Sequence, residues 1–385
     1  MKNNKEIAII GGGASGLFCA ILLKQYLKNV NVTIYEAQNK IGKKILQTGN
    51  GKCNICNMNI STDNYNTNKI EHIIDNFKPN DLINILNSWG LMTRVDEEGR
   101  VYPYSEKATT VLDIFLNKIE EYNIKVITSC YITKIEKNNN NYYIYSNDNK
   151  KYNSNYLVAC TGGSSSITYN NNGYKLLESL GHKTTNISPS LCALKTKENT
   201  KHLSGIRVKC KASITVDGNL KHQTNGEVLF KDDGLSGIAI FILSQFFEKN
   251  KKNIVSLDLY ESKTEEQLNK ELNNKDLEKQ LLGYFPKMIN LDLIKRNKNN
   301  IGNIIKNYSF EIKDTYGFNT SQVTKGGIKL DEVNLNTFES LKQKDLYISG
   351  EVLDVDGTCG GYNLYFAFAS AYHIVLDFKK RIGDK

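Results

Sequence analysis

Residues Ile7–Glu36, IAIIGGGASGLFCAILLKQYLKNVNVTIYE, limit the possible folds more than any other stretch of the chain. An apolar run, Ile7–Ile10, meets Gly11-x-Gly13-x-x-Gly16, then an apolar helical stretch, then a second apolar run ending at Glu36. That order predicts strand, helix and parallel strand, the βαβ unit of a dinucleotide-binding fold. Gly11 permits the tight turn, Gly13 lets the backbone approach a pyrophosphate, and Gly16 lets helix and strand pack closely. The pyrophosphate would sit at the helix start, where free N–H groups and the helix dipole favour an anion. Glu36 lies 20 residues beyond Gly16, where a carboxylate can accept a hydrogen bond from a ribose hydroxyl. The glycines alone do not choose between NAD, NADP and FAD.

A chain of 385 residues can bury a large core and divide into about two or three domains. Its 50 basic and 41 acidic side chains give a net charge of +9, spread along the chain rather than gathered in blocks. Such a surface suits an anionic cofactor or substrate. No basic stripe with interleaved aromatics appears, so nucleic acid is not an expected partner. The first strand begins near Lys5, which leaves no room for a signal peptide, and no apolar run reaches the length of about 20 residues that a membrane helix needs. Eight scattered cysteines, among them Cys19, Cys130 and Cys160 in apolar runs, fit reduced thiols in the cytoplasm. No Cys/His pairing has the spacing of a metal site. The oligomeric state is left open.

Helical periodicity covers Ile70–Phe77, Asp81–Trp89 and Ala108–Tyr122, with Gly99–Ser105 reading as a turn-rich segment. Ile124–Thr128, Tyr131–Glu136, Tyr142–Ser146 and Tyr156–Cys160 read as strands, with the run Asn138–Asn141 at a hairpin tip. Gly173–Leu180 reads as a short helix. From about Ser188 to Gln322 dinucleotide signals are missing: short strands (Ala212–Val216, Glu227–Phe230) precede a helix after Gly234–Gly237 and a charged, helix-like region from Ser262 to Lys306. This block is expected to be an insert, with residues 1–187 and 323–385 forming the two parts of a nucleotide-binding domain. Domain junctions make concave pockets, so the insert is expected to cover the substrate face, with Leu235, Ser236 and Gly237 near the ligand.

The C-terminal segment narrows the choice of cofactor. LYISGE (346–351) is a strand ending in a Gly–acid turn, and Gly360-Gly361 opens an apolar helix, Tyr362–Val375. A large two-domain flavoprotein returns its chain end to the first sheet in this form. A helix start aimed at a flavin would stabilise the negative charge that develops on reduction.

In order along the chain, GGGASGL (11–17), GKKILQTGNGKCN (42–54), GRVYPYSEKA (99–108), TGG (161–163), GH (181–182), PSL (189–191), LFKDDGLSG (229–237) and GEVLDVDGTCGGYNLYFAFASAY (350–372) resemble the BaiN-like flavoproteins. These are also described as aminoacetone-oxidase-like NAD(P)/FAD-dependent oxidoreductases. The resemblance spans nearly the whole chain and is weakest between about 255 and 320. It implies an α/β fold: a Rossmann-type FAD-binding domain interrupted by an inserted β-barrel-like and helical domain. It also implies tightly bound FAD. Gly11, Gly13, Ala14, Ser15 and Gly16 would hold the pyrophosphate, and Glu36 the adenosine ribose. Lys44, Gly51, Cys53 and Asn54 would lie in the loop over the diphosphate and flavin. Gly162 and Gly163 would skirt the adenine side, and Gly350, Glu351, Gly361, Tyr362 and Asn363 would line the ribityl chain and isoalloxazine. The chain departs from the family at Lys52, where Arg is usual, at Cys56, where a small hydroxyl residue is usual, and at Ser164-Ser165-Ser166.

The resulting expectation is an FAD-dependent oxidoreductase acting on a small organic substrate. With no second nucleotide fingerprint, NADH or NADPH would dock transiently as electron donor. Two rival readings stand beside it. Cys53-Asn54-Ile55-Cys56 has the CxxC spacing of a flavin-linked dithiol/disulfide reductase. Some FAD proteins of related fold modify RNA. The histidines form no spaced pair, Asp354 and Asp356 suit a turn beside Gly357, and no catalytic residue is assigned.

Overall fold

The computed structural model describes residues 4–165, 172–272 and 276–383. Ser166 and residues 273–275 of the helix-like region therefore lie outside the described residues. The chain divides into two compact units, one comprising Met1–Ser188 with Val323–Lys385 and the other Pro189–Gln322.

The first unit is built on a seven-stranded sheet. Lys5–Ile10 lies parallel between Val30–Tyr35 and Tyr156–Ala159, in register Ile10↔Tyr35 and Ile10↔Ala159. Leu346–Ile348 continues the parallel order beyond Tyr156–Ala159, and Lys125–Ile127 closes the other edge beside Val30–Tyr35. The C-terminal strand thus joins the sheet that the first βαβ unit begins. Two short antiparallel strands, Val333–Asn334 and Glu339–Ser340, extend the far edge.

Ala14–Tyr26 is helical, and Ser15–Leu23 is buried on every side. A helix apolar all round must be covered all round. The sheet covers one side, and the helix Tyr362–Ile382 covers another, with Phe18 and Phe368 rings 4.9 Å apart. That last helix runs seven residues beyond the apolar stretch read from the sequence, because Asp377 accepts from Tyr347 Oη (2.7 Å) and pairs with Arg381. A buried polar group so satisfied continues a helix rather than ending it.

Other segments of this unit also differ from the sequence reading. Gly99–Ser105 contains a strand, Arg100–Pro103, between Cys56–Asn57 and Thr93–Val95. Pro103 is tolerated because the Cys56–Asn57 strand pairs only as far as Val101, so no ladder bond is required of it on that side. Lys151–Ser154 forms a third strand beside Asn141–Ser146, whose other neighbour, Ile132–Asn138, connects to it through the expected Asn hairpin tip.

The second unit is a closed six-stranded barrel: Leu194–Thr196, Gly234–Ser236, Asn219–Lys231, Arg207–Val216, Asn253–Asp258 and Tyr308–Thr315. Alternate residues of Arg207–Val216 face inward, and Phe230, Tyr308 and Phe310 fill the centre with edge-on ring contacts. The strands Asn253–Asp258 and Tyr308–Thr315 lie on either side of the charged region Ser262–Lys306 and pair with each other, and neither is among the strands read from the sequence. Leu235 is fully buried in this barrel, so its side chain is committed to packing.

Candidate functional site

At the carboxyl ends of the parallel strands lies a cavity of about 360 Å³. Its walls are the Gly11–Gly13 turn, the loop from Glu36 to Gln47, and Cys160–Gly163. Crevices of this kind, outside the strand ends of an open α/β sheet, are where such folds bind ligands.

The glycines divide by role. Gly11 has φ +107° and its backbone lies against the Cys160 carbonyl, while the Gly16 backbone lies against the Gly11 carbonyl. Neither position has room for a Cβ. At Gly13 a Cβ would meet nothing within 4 Å, and Gly13 lines the cavity. No side chain caps the helix Ala14–Tyr26, so its first N–H groups are left for an anion. The glycines therefore build the turn and leave its mouth open.

Glu36 is held in place by two backbone donors. Gly12 N–H donates to Oε2 (2.7 Å) and Gln38 N–H donates to Oε1 (2.8 Å). A carboxylate accepts about four hydrogen bonds, so an acceptor site remains on each oxygen for a ribose hydroxyl. Gly12 and Gln38 were not singled out in the sequence, because neither type signals a carboxylate anchor.

Glu351 ties together three segments. It forms an ion pair with Lys44, accepts from Thr324 N–H at Oε1 (2.9 Å), and accepts from Gly163 N–H at Oε2 (3.3 Å). Thr324 Oγ1 in turn accepts from the N–H groups of Ser164 (2.8 Å) and Ser165 (3.1 Å). Lys44, Gly163 and Glu351, which the sequence reading assigned to three different parts of the cofactor, are thus brought into one cluster. Thr324 is an addition that only the fold supplies.

A buried hydroxyl chain links the two halves of the motif set. Ser15 Oγ and Ser349 Oγ lie 2.5 Å apart, Ser349 Oγ and Ser370 Oγ 2.8 Å apart, and Gly350 N–H donates to Ser370 Oγ (3.0 Å). The start of the first helix, the end of the C-terminal strand and the last helix are joined by it. Ser349 and Ser370 carried one available signal, a hydroxyl inside an otherwise apolar run.

The loop 48–57 meets the turn 357–363. Gly361 caps the last helix with φ +99°, and a Cβ there would fall 2.6 Å from both Asn54 Oδ1 and the Cys56 carbonyl. Asn54 Oδ1 is buried without a hydrogen-bond partner. Asn363 grips the turn through Gly357, accepting from its N–H (2.8 Å) and donating to its carbonyl (2.7 Å). The Tyr362 carbonyl accepts from Tyr65 Oη (2.9 Å). Asn66 donates to the Asp354 carboxylate (3.0 Å) and accepts from the Asp356 N–H (3.0 Å), which ties down the chain before Gly357. Gly51, at φ +83°, has open space around it.

The cysteines of the CxxC are buried and unpaired. Burial pushes the Cys53 thiol up to about 11, against a hydrogen bond from Thr48, and the Cys56 thiol up to about 12. His182 is structural: its Nε2 lies 2.8 Å from Ser340 Oγ and its Nδ1 3.3 Å from Glu332. Among the described residues no His, Cys, Asp and Glu side chains cluster as a metal site, and no helix is long and apolar enough to cross a membrane.

The residues fit a dinucleotide: an open Gly13, an uncapped helix start, an anchored carboxylate, and the orphaned Asn54 acceptor beside a second helix start. Residues 5–375 match the model of the HI0933-like protein Rossmann domain. The chain belongs to this family. It is 30% identical to a 3-dehydro-bile acid delta(4,6)-reductase of Clostridium scindens, over 95% of this chain and 97% of the relative. It is 26% identical to a ribosomal RNA dihydrouridine synthase of Haemophilus influenzae, over 99% of this chain and 100% of the relative. Among solved structures, a 3-ketosteroid-delta4-(5alpha)-dehydrogenase from Rhodococcus jostii RHA1 shares the fold at a TM-score of 0.50, with 11% identity and 97% of each chain covered. The BaiN-like family read from the motifs is the one found, and the protein is an FAD-dependent oxidoreductase of that family.

Proposed function

We propose that this HI0933-like protein reduces a carbon–carbon double bond conjugated to a carbonyl, with FAD as resident cofactor and NADH or NADPH as transient donor. The observation that carries the reading is the helix Tyr362–Ile382, whose uncapped start is locked by Gly361 against the Asn54–Cys56 loop. A fixed, positive helix end beside a redox ring favours the charge that reduction adds. The two relatives' printed activities share this chemistry, since a delta(4,6)-dehydro bile acid and a uridine both present a double bond conjugated to a carbonyl.

Bound in the cleft, FAD would supply the hydride chemistry. The protein's own residues bind and orient it: the Gly13 turn and the first helix start hold the diphosphate, and Glu36 holds the ribose. Lys44 and Glu351 clasp the wall between, and Asn54 offers its free acceptor beside Gly361. The eight unpaired cysteines fit a reducing compartment, and the cytoplasm is the placement we propose.

The thiol reading is disfavoured. A dithiol reductase needs an accessible thiolate, whereas both Cys53 and Cys56 are buried and protonated at neutral pH. The RNA reading has one observation in its favour. Tyr143 and Tyr145 share the outer face of one strand with Lys134 and Lys151 as neighbours, and the Lys151 ammonium lies 4.1 Å from the Tyr143 ring centre. Aromatic and basic side chains so mixed suit single-stranded nucleic acid.

Anaerobic mixing tests these readings. Bleaching of the flavin by NADH or NADPH, then recovery on adding a conjugated steroid enone, supports reduction of a small molecule. Recovery only with a uridine-containing RNA supports the second reading. Bleaching by aminoacetone alone overturns both in favour of an amine oxidase.

A further inference from the structure

We propose that Asn57 is a positioning residue for the flavin, fixing the Gly360–Gly361 turn and thereby the aim of the last helix's start. The inference rests on the reading that this helix start faces the flavin. Asn57 lies in the loop–strand that follows Asn54 and is 3% exposed. Its Nδ2 donates to the Gly360 carbonyl (3.1 Å) and, at longer range, to the Glu98 carbonyl (3.4 Å). Its Oδ1 accepts from Asn59 N–H (2.9 Å). Every one of these partners is backbone. The side chain thus serves as a peptide group would, joining the loop 52–59, the hairpin turn at Glu98–Gly99 and the turn before the last helix.

Among the described residues, three side chains hold that turn. Asn363 grips Gly357 from within the helix itself, and Tyr65 donates to the Tyr362 carbonyl (2.9 Å). Asn57 alone of the three comes from the segment bearing Cys53 and Asn54, and it bonds the residue immediately before the cap. Gly360 and Gly361, at φ of +137° and +99°, carry no side chain that could fix the turn from within. The field of a helix end acts within about one turn, so a small change in aim changes the stabilisation of charge on a neighbouring ring. Asn suits the position because it carries a donor and an acceptor on one short planar group. Aspartate has the same shape but would set an anion against the Gly360 carbonyl.

Asn57→Asp and Asn57→Ser, each as the full chain, separate a flavin-positioning role from a structural one. The measurements are FAD affinity, melting temperature, the visible flavin spectrum and the midpoint potential of the bound flavin from pH 5 to 8. In Asn57→Asp, FAD affinity is expected to fall about tenfold at neutral pH, the cost of one buried carbonyl left without its donor. Its potential is expected to move to more negative values, since the new carboxylate opposes added charge. Both effects should shrink as the pH falls and the new carboxyl, once protonated, can donate to Gly360. Asn57→Ser, which also withdraws the amide donor but adds no charge, should lower affinity without the pH dependence and shift the potential less. Affinity, spectrum and potential equal to wild type in both variants would overturn the proposal. Loss of folding in both variants would also overturn it, by assigning Asn57 to the fold rather than to the flavin. If the wild-type chain binds no FAD, the flavin reading itself fails, and the wild-type titration alone reports that outcome.

Discussion

The backbone of Gly361 lies against that of Cys56 so closely that a Cβ on Gly361 would fall 2.6 Å from the Cys56 carbonyl oxygen. This contact joins two segments 305 residues apart in sequence, and both obstacles to substitution act together: the left-handed φ of +99° and the lack of room. Gly361→Ala is therefore expected to destabilise the protein by about 2–4 kcal/mol, the range for a strained backbone combined with a steric clash. A melting curve and an FAD titration would check it. An alanine variant that melts and binds FAD like wild type would mean that the turn can move freely.

Gly13 is the opposite case. Its φ of −85° is open to any residue, and a Cβ meets nothing within 4 Å. Gly13→Val should fold with a melting temperature within a few degrees of wild type and still lose FAD binding, because the added side chain points into the open turn mouth. Unchanged FAD affinity would show that the cavity is not the diphosphate site, and failure to fold would show that the fold itself needs glycine there.

The buried thiols set an upper pH limit. Cys53 and Cys56 ionise in the folded chain near 11 and 12, against an ordinary value of 9.0. The unfolded chain therefore releases these protons first. Their contribution to stability is complete below about pH 9 and is lost as the pH rises toward 11–12. Cys56→Thr, which restores the family's small hydroxyl, should reduce this alkaline sensitivity while leaving flavin turnover intact. Melting curves from pH 7 to 11 and a steady-state assay would decide. Loss of turnover in Cys56→Thr would revive the dithiol reading.

His182 acts at the other end of the pH scale. Burial holds its imidazole below the ordinary 6.5, against the opposing pull of Glu332. The unfolded chain takes up a proton that the folded one resists, so stability present above about pH 6.5 is lost as the pH falls. His182→Gln should flatten the stability profile between pH 5 and 7. Parallel profiles for variant and wild type would show that His182 does not titrate in this range.

Much of this site was written locally in the chain. The βαβ unit at Ile7–Glu36 was legible because strand alternation, helical periodicity and the Gly11/Gly13/Gly16 spacing are all short-range signals, and the glycine positions report their own backbone needs. The strand–turn–helix at 346–362 was legible for the same reason. The insert boundaries near 188 and 322 were suggested by a loss of pattern, and the compact units divide there.

What the tertiary structure alone decided are the partnerships. The Glu351 carboxylate binds Lys44, Thr324 and Gly163, three partners that no local signal names. Ser349 and Ser370 gain their roles only when Ser15 is packed against them, and Asn57 only when Gly360 comes within 3.1 Å. The same holds in the barrel: Tyr308–Thr315 (YSFEIKDT) alternates apolar and polar residues by itself, but its pairing with Asn253–Asp258 across a run of helices has no local signal. Periodicity encodes which face of an element is buried. Which element comes to cover that face depends on packing between residues hundreds of positions apart, and that is settled only when the chain closes on itself.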